Sequence, residues 1–386
     1  MDILNASDKD FRKKLQAITS RGEADTSKVE DAVKEIITGI RRHGDKALFS
    51  YTNRFDGLSI DKKTIKVSDA EFADARKAVS KGIVESLKLA AKRIEAFHRR
   101  QLEESWFFHE DDGVTLGQMV RPLERVGAYV PGGKATYPSS VLMNVIPAKV
   151  AGVKEVIVCS PTPGGEVNPY VLVAAEIAGA DAVYKVGGAQ AVAAMAYGTP
   201  SIPRVDKIIG PGNIYVATAK RLVFGVVDID MIAGPSEILV VADESANPAF
   251  IAADLLSQAE HDEMASSILV TTSIKIADET IKELTKQLKK LSRKEIAEKS
   301  LNNYGAVILV NNLDEAAAIV NEIAPEHLEL SVDRPFELLP KIKNAGAIFL
   351  GHYTPEAVGD YVAGPNHTLP TGGTARFFSP LSATDF

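Results

Sequence analysis

Between residues 139 and 350, short apolar runs alternate with helix-patterned segments, and this alternation narrows the possible folds more than any other feature. Val156-Ile-Val-Cys, a helix from Pro169, Ala182-Val-Tyr-Lys-Val, a helix from Ala189 and Lys207-Ile-Ile form one set. Glu237-Ile-Leu-Val-Val, a helix bearing Gln258, Ser267-Ile-Leu-Val, Ala306-Val-Ile-Leu-Val and Ala347-Ile-Phe-Leu form a second. Strand, helix, strand in succession predicts parallel sheets. Both sets contain a strand, an Asn-Pro pair (Asn168-Pro169, Asn247-Pro248) and then an Ala-Ala-acid helix. An old duplication and generic βαβ construction both account for that pattern.

The chain before residue 110 reads differently, as helices with little strand. Thr26-Ser27 can cap a helix whose Val29, Val33, Ile36, Ile37 and Ile40 form one apolar stripe, with Gly44 placed to end it. Residues 70–104 read as a second, long and charged helical stretch. From Val114 the pattern alternates, and Gly127-Ala-Tyr-Val-Pro-Gly-Gly133 reads as a strand meeting a glycine turn, so a domain boundary is expected nearby. A length of 386 residues suits two or three domains. The net charge of −7, without a Lys/Arg block, argues against nucleic acid or an anionic membrane as partner. The first residues carry no basic and apolar leader pattern, and no apolar run approaches the ~20 residues of a membrane span, so a cytoplasmic location is expected.

The single cysteine, Cys159, ends an apolar strand and reads as an inert core thiol; any metal must therefore take nitrogen and oxygen ligands. Gln258 and His261 stand three apart, so on a continuing helical turn an amide oxygen and an imidazole share one face. That is metal-ligand spacing, although a solvated acidic helix end would carry the same residues. In Pro325-Glu326-His327 the two side chains diverge, which suits service to two different protons in one pocket; a proline-led turn with a solvated Glu is the plainer reading. Residues 359–367 (Gly-Asp-Tyr-Val-Ala-Gly-Pro-Asn-His) read as a Gly/Pro-rich loop, of either the ligand-binding or the ordinary surface kind.

Gly127 to Lys134 nearly imitates a triphosphate-binding loop, but the spacing is one residue too long and Ala135 offers no hydroxyl for magnesium. A turn that lets backbone approach a ligand, with Tyr129 beside it, fits better, as does a purely structural turn. The run Gly210-Pro-Gly-Asn213 precedes an apparent helix over 214–224, which Asn213 can cap; its exposed N–H groups favour a phosphate. No Gly-x-Gly-x-x-Gly follows any strand.

Four segments taken together resemble the histidinol dehydrogenase family: residues 229–237 (Ile-Asp-Met-Ile-Ala-Gly-Pro-Ser-Glu), 254–262 (Asp-Leu-Leu-Ser-Gln-Ala-Glu-His-Asp), 324–329 (Ala-Pro-Glu-His-Leu-Glu) and 359–367. The resemblance runs from about Ile36 to the last residue. It implies two NAD-dependent oxidations, from L-histidinol through the aldehyde to L-histidine, with one zinc ion per subunit. It further implies zinc ligands at Gln258, His261 and Asp360, and substrate contacts from Ser236, Gln258, His261, His327 and Asp360. Glu326 and His327 match the acid/base pair, and Tyr129, Gln190 and Asn213 match NAD contacts. The fold implied is α/β: two incomplete Rossmann-like domains with parallel-sheet cores, a helical N-terminal arm and the start of a C-terminal tail.

The expected division is an arm over 1–20, a first domain from 21–120 plus 236–370 on the zinc and substrate side, a second over 121–235 on the NAD side, and tail from 371–386. The family works as a homodimer with sites shared between subunits. Its tail carries a substrate-contacting Glu and a fourth zinc ligand, a His, for which this sequence offers no assigned match; His352 and His367 are the first candidates to substitute. A catalytically impaired relative, or a dehydrogenase of another amino alcohol or a sulfonated diol, would carry the same motifs.

Overall fold

The computed structural model describes residues 1–22, 27–132 and 137–386. Thr26 of the expected cap, and Gly133, Lys134 and Ala135 of the glycine turn, lie outside them. In chain order the strands are β1 (Asp2–Asn5), β2 (Trp106–His109), β3 (Thr115–Gln118), β4 (Arg125–Tyr129), β5 (Glu155–Cys159), β6 (Ala182–Tyr184), β7 (Lys207–Ile209) and β8 (Asp228–Ile229). They continue with β9 (Glu237–Ala242), β10 (Ser266–Thr271), β11 (Ala306–Leu309), β12 (His327–Ser331) and β13 (Ala347–Leu350). β4 to β8 form a five-stranded sheet in the order β6-β5-β4-β7-β8, and a six-stranded sheet runs β1-β11-β10-β9-β12-β13. Every pairing in both is parallel, as the strand–helix alternation requires. β2 and β3 make a separate antiparallel ribbon.

The chain divides into two compact units, one of Met1–Asp25, Ile232–Asp360 and Leu369–Pro380, the other of Thr26–Met231, Tyr361–Thr368 and Leu381–Phe386. This differs from the expected division, because residues 27–120 go with the five-stranded sheet. The apolar stripe of the helix Ser27–His43 (Val33, Ile36, Ile37, Ile40) packs in one cluster with Ile157, Cys159 and Ile208. Leu87, Ala90 and Ile94 of the helix Lys81–His98 pack on the other face with Val126, Val156 and Val158. Residues 70–104 are therefore not one helix: Asp69–Ala78 and Lys81–His98 are separated at Val79-Ser80.

The N-terminal residues are likewise not a helical arm. Asp2–Asn5 is an edge strand paired with β11, and the helix Phe11–Thr19 buries Phe11 and Leu15 against the six-stranded sheet. On that face Leu239, Val241, Leu328 and Leu330 join the helix Leu313–Ile323. Ile238, Val240 and Ala242 face the opposite way, against the helix Pro248–Ala259. Asn168, Asn213 and Asn247 each cap a helix, accepting hydrogen bonds from backbone N–H groups one or two residues into the first turn.

Candidate active site

In the six-stranded unit the chemistry gathers where β9 and β12 begin. Both strands are central and parallel, with His327 paired to Ile238. A strand's alternation points His327 and Glu329 to the side opposite Leu328 and Leu330. β12 went unrecognised in the sequence because His-Leu-Glu-Leu-Ser lacks the unbroken apolar texture of its neighbours. It nevertheless lies buried throughout, so its polar residues form a row inside the protein.

His327 is 2% exposed. Its Nδ1 lies 3.1 Å from the Glu237 carbonyl oxygen, which can only accept, so Nδ1 carries a proton. Nε2 faces the Asp360 carboxylate at 3.1 and 3.2 Å and Glu356 at 3.9 Å. Burial pulls the imidazole's pKa down, but Asp360, Glu326 and Glu356 together raise it well above the ordinary value. Glu326 does not diverge from His327 as expected: its Oε2 accepts the Glu237 N–H at 3.0 Å and lies 3.8 Å from His327 Nδ1. Burial pushes its pKa up to about 8, against the lowering influence of His327. Ala324, just upstream, holds a left-handed backbone (φ 53°). Gly346 is required beside it, since a Cβ there would stand 2.6 Å from the Glu326 carbonyl oxygen.

Residues 359–363 are a π-helical turn rather than the expected loop, and Asp360 is its second residue. His327, Glu356 and Asp360 offer three ligand atoms within 4.8 Å of one another, and no such group among the described residues includes His261. Gln258 and His261 do share a helix end, with Gln258 Nε2 3.3 Å from His261 Nδ1. Gln258 Oε1 is buried without a partner, the state of an amide oxygen suited to a cation. Next to it, Ser257 Oγ donates to Glu356 Oε2 at 2.6 Å, tying this helix end to the acidic cluster.

Sequence reasoning assigned no role to Glu356, Glu329, Asp254 or Arg21. Glu329 accepts the Glu356 N–H at 3.0 Å and hydrogen-bonds Asp254. Burial, then the charge of Asp254, raises the pKa of Glu329 well above normal, and burial raises that of Asp254 to about 6. Arg21 pairs with buried Glu237 at 3.1 Å, while its Nε donates to Met264 O at 2.9 Å, close to the strand start that Ser236 precedes. The His-x-Glu alternation of β12 was the available signal for Glu329; nothing in the local sequence marks Arg21.

In the five-stranded unit the corresponding groups lie at the carboxyl ends of strands. The sheet order reverses between β4 and β7, where α/β sheets bind ligands. Tyr129 ends β4, and Gly210 follows β7 directly beside it: with φ 101°, a Cβ on Gly210 would stand 2.1 Å from Tyr129 O. Asp230 accepts the Gly210 N–H at 2.7 Å and pairs with Lys220, whose Nζ donates to Gly210 O at 3.0 Å. Asn213 is exposed and caps the helix Ile214–Val223 through the N–H groups of Tyr215 and Val216. Tyr129 itself is buried, its hydroxyl accepting the Gly188 N–H at 3.2 Å. Cys159 is fully buried, and burial pushes its thiol up to about 12, too high for a nucleophile at neutral pH.

Two parallel α/β units, one with a buried histidine–carboxylate cluster, define an α/β protein of the kind that carries enzyme sites. The chain belongs to the histidinol dehydrogenase family, whose sequence model matches residues 19–386. Histidinol dehydrogenase of Geobacter sulfurreducens is 60% identical over all of this chain and 90% of its own length. That of Aquifex aeolicus is 55% identical over all of this chain and 89% of its own. The crystal structure of histidinol dehydrogenase from Elizabethkingia anophelis superposes with a TM-score of 0.95 at 39% identity, covering 100% of this chain and 88% of that one. No helix among the described residues is long and apolar enough to cross a membrane.

Proposed function

We propose that the chain oxidises L-histidinol through L-histidinal to L-histidine, with two NAD as hydride acceptors and one zinc ion per subunit. The observation that carries this reading is buried His327, held at Nδ1 by a carbonyl and facing carboxylates at Nε2, with Glu326 on the Nδ1 side. In the first step the alcohol would give a hydride to NAD and its hydroxyl proton to Nε2 of neutral His327, Nδ1 keeping its own proton against the Glu237 carbonyl. Glu326, ionised, then takes a proton from the water that adds to the aldehyde. The hydrate gives a second hydride to a second NAD, and ionisation of the product acid brings the protons released to three.

Gln258, His261 and Asp360 would hold the zinc, since an amide oxygen, an imidazole and a carboxylate suit it and the unpartnered Gln258 Oε1 fits a cation. Bound there, zinc supplies a fixed positive centre that orients the substrate amine and imidazole. Ser236, with the ligands and His327, contacts histidinol. Tyr129, Gln190 and Asn213 contact NAD, whose phosphates lie near Gly210–Asn213; the strand ends at the β4–β7 reversal support this. The working form is a homodimer with shared sites, in the cytoplasm, and the excess of 51 acidic over 44 basic residues speaks against a nucleic acid partner.

Purified protein should form two NADH per L-histidinol and little with other amino alcohols or sulfonated diols. His261→Ala should lose zinc on dialysis and bind histidinol more weakly. Full metal content in that variant, or turnover of another alcohol in preference to histidinol, would overturn the corresponding part of the reading.

A further inference from the structure

Two buried polar atoms without partners lie near the start of the helix Gly188–Tyr197. Asp56, the last residue of the helix Asp45–Asp56, is half-buried there and accepts a hydrogen bond from the Gly187 N–H. Its Oδ2 is buried and has no partner, and among the described residues no cation contributes to its electrostatic surroundings. Gln190, 1% exposed, folds its amide back over the same helix start: a Cβ on Gly188 would stand 2.7 Å from Gln190 Oε1. Gln190 Nε2 is also buried without a partner. Tyr129, close enough to feel the charge of Asp56, takes the Gly188 N–H. A buried carboxylate oxygen and a buried amide donor, both unmet, stand at one helix N-terminus on the carboxyl edge of the sheet.

Leaving such groups unmet is costly, so a ligand that offers donors to the acid and an acceptor to the amide is the natural complement. A phosphate is disfavoured in the immediate neighbourhood of Asp56, because like charges repel and no cation among the described residues compensates. A ribose diol meets the requirement: vicinal hydroxyls donate to a carboxylate, as acids do at ribose hydroxyls in other dinucleotide sites. We infer that Asp56 is a specificity-determining residue of the dinucleotide site, accepting the hydroxyls of the adenosine ribose and turning away a nucleotide that carries a 2′-phosphate. This rests on the assignment of NAD to Tyr129, Gln190 and Asn213.

The test uses the full chain with Asp56→Asn and Asp56→Ala, assayed with NAD and NADP at saturating L-histidinol. Direct titrations with ADP-ribose and 2′-phospho-ADP-ribose accompany the assays. Losing charge-assisted hydrogen bonds to a diol should raise KM for NAD about tenfold to a hundredfold. kcat at saturating NAD and KM for histidinol should stay within about twofold, a split that general damage to the fold would not produce. The preference for NAD over NADP should fall by at least the same factor, and 2′-phospho-ADP-ribose should gain affinity while ADP-ribose loses it. Asp56→Asn keeps the size of the side chain, so it answers the question if the alanine variant folds poorly. Gln190→Ala and Asn213→Ala serve as a parallel arm. If they raise KM for NAD while the Asp56 variants leave the NAD/NADP ratio unchanged, the inference about Asp56 fails alone. If all four leave KM for NAD unchanged, the assignment of NAD to this unit fails with it.

Discussion

The two sheets are built alike, all parallel with the strand order turning back beside a central strand (β4 to β7, β9 to β12), yet their polar groups collect at opposite edges. In the five-stranded sheet they lie where β4 and β7 end, and in the six-stranded sheet where β9 and β12 begin. The carboxyl edge of a parallel α/β sheet receives the N-termini of the following helices, with free N–H groups and partial positive charge, so it favours phosphates. The amino edge receives helix C-termini. There the last turn of Pro248–Ala259 brings Gln258 towards a cluster of carboxylates, an arrangement that favours a cation or an ammonium group. One architecture thus supplies an anion-binding edge and a cation-binding edge.

The largest effects should come from the amino edge. His327→Asn should lower kcat on histidinol about 10²- to 10⁴-fold, and Glu326→Gln should do the same on supplied histidinal. Equal losses for both variants in both half-reactions would erase the division of labour. A base must be ionised to act, and Glu326 is protonated below its pKa of about 8. The rate of the histidinal half-reaction should therefore climb with pH up to about 8 and level off above it. Glu326→Gln should remove that limb of the profile.

Each edge also has a buried ion pair, Arg21–Glu237 in one unit and Lys220–Asp230 in the other. Removing one partner of such a pair typically costs about 3–5 kcal/mol, so Arg21→Met and Lys220→Met should each lower Tm on the order of 10 °C. They should part in kinetics: Lys220→Met should raise KM for NAD through the Gly210 loop, and Arg21→Met KM for histidinol through the Glu237 strand start. The same constant rising in both would break the comparison. The smallest effect belongs to Asn213→Ala. Losing the cap costs about 1 kcal/mol of stability, and KM for NAD should rise by no more than about fivefold, with histidinol binding unaffected in steady-state assays.

Strands buried on both faces were legible because they read as unbroken Val, Ile and Leu, as in β5 and β9. β12 was not, since His327, Glu329 and Ser331 interrupt its apolar run. β1 was missed because four residues at a sheet edge carry little pattern, and β2 because its residues are exposed, whereas the alternation from Val114 marked β3. Gln258 and His261 stood out by spacing, Asn213 by its place before a helix, and Glu326 and His327 as neighbours. Glu356 and Asp56 had no such signal. Each is one acid among 51, brought to its place by the return of the chain from β13 or by the end of a helix whose partner lies far away in sequence.

The alternation of β12 also governs how this protein can change over generations. Leu328 and Leu330 belong to one face, His327 and Glu329 to the other. Deleting or inserting a single residue between Ala324 and the strand would exchange the faces, driving acids into the leucine cluster and leucines into the site. Substitutions there can be graded, but changes of length cannot. A change of length should be tolerated better in places such as the exposed turn at residues 110–114 between β2 and β3, where an added residue disturbs neither sheet.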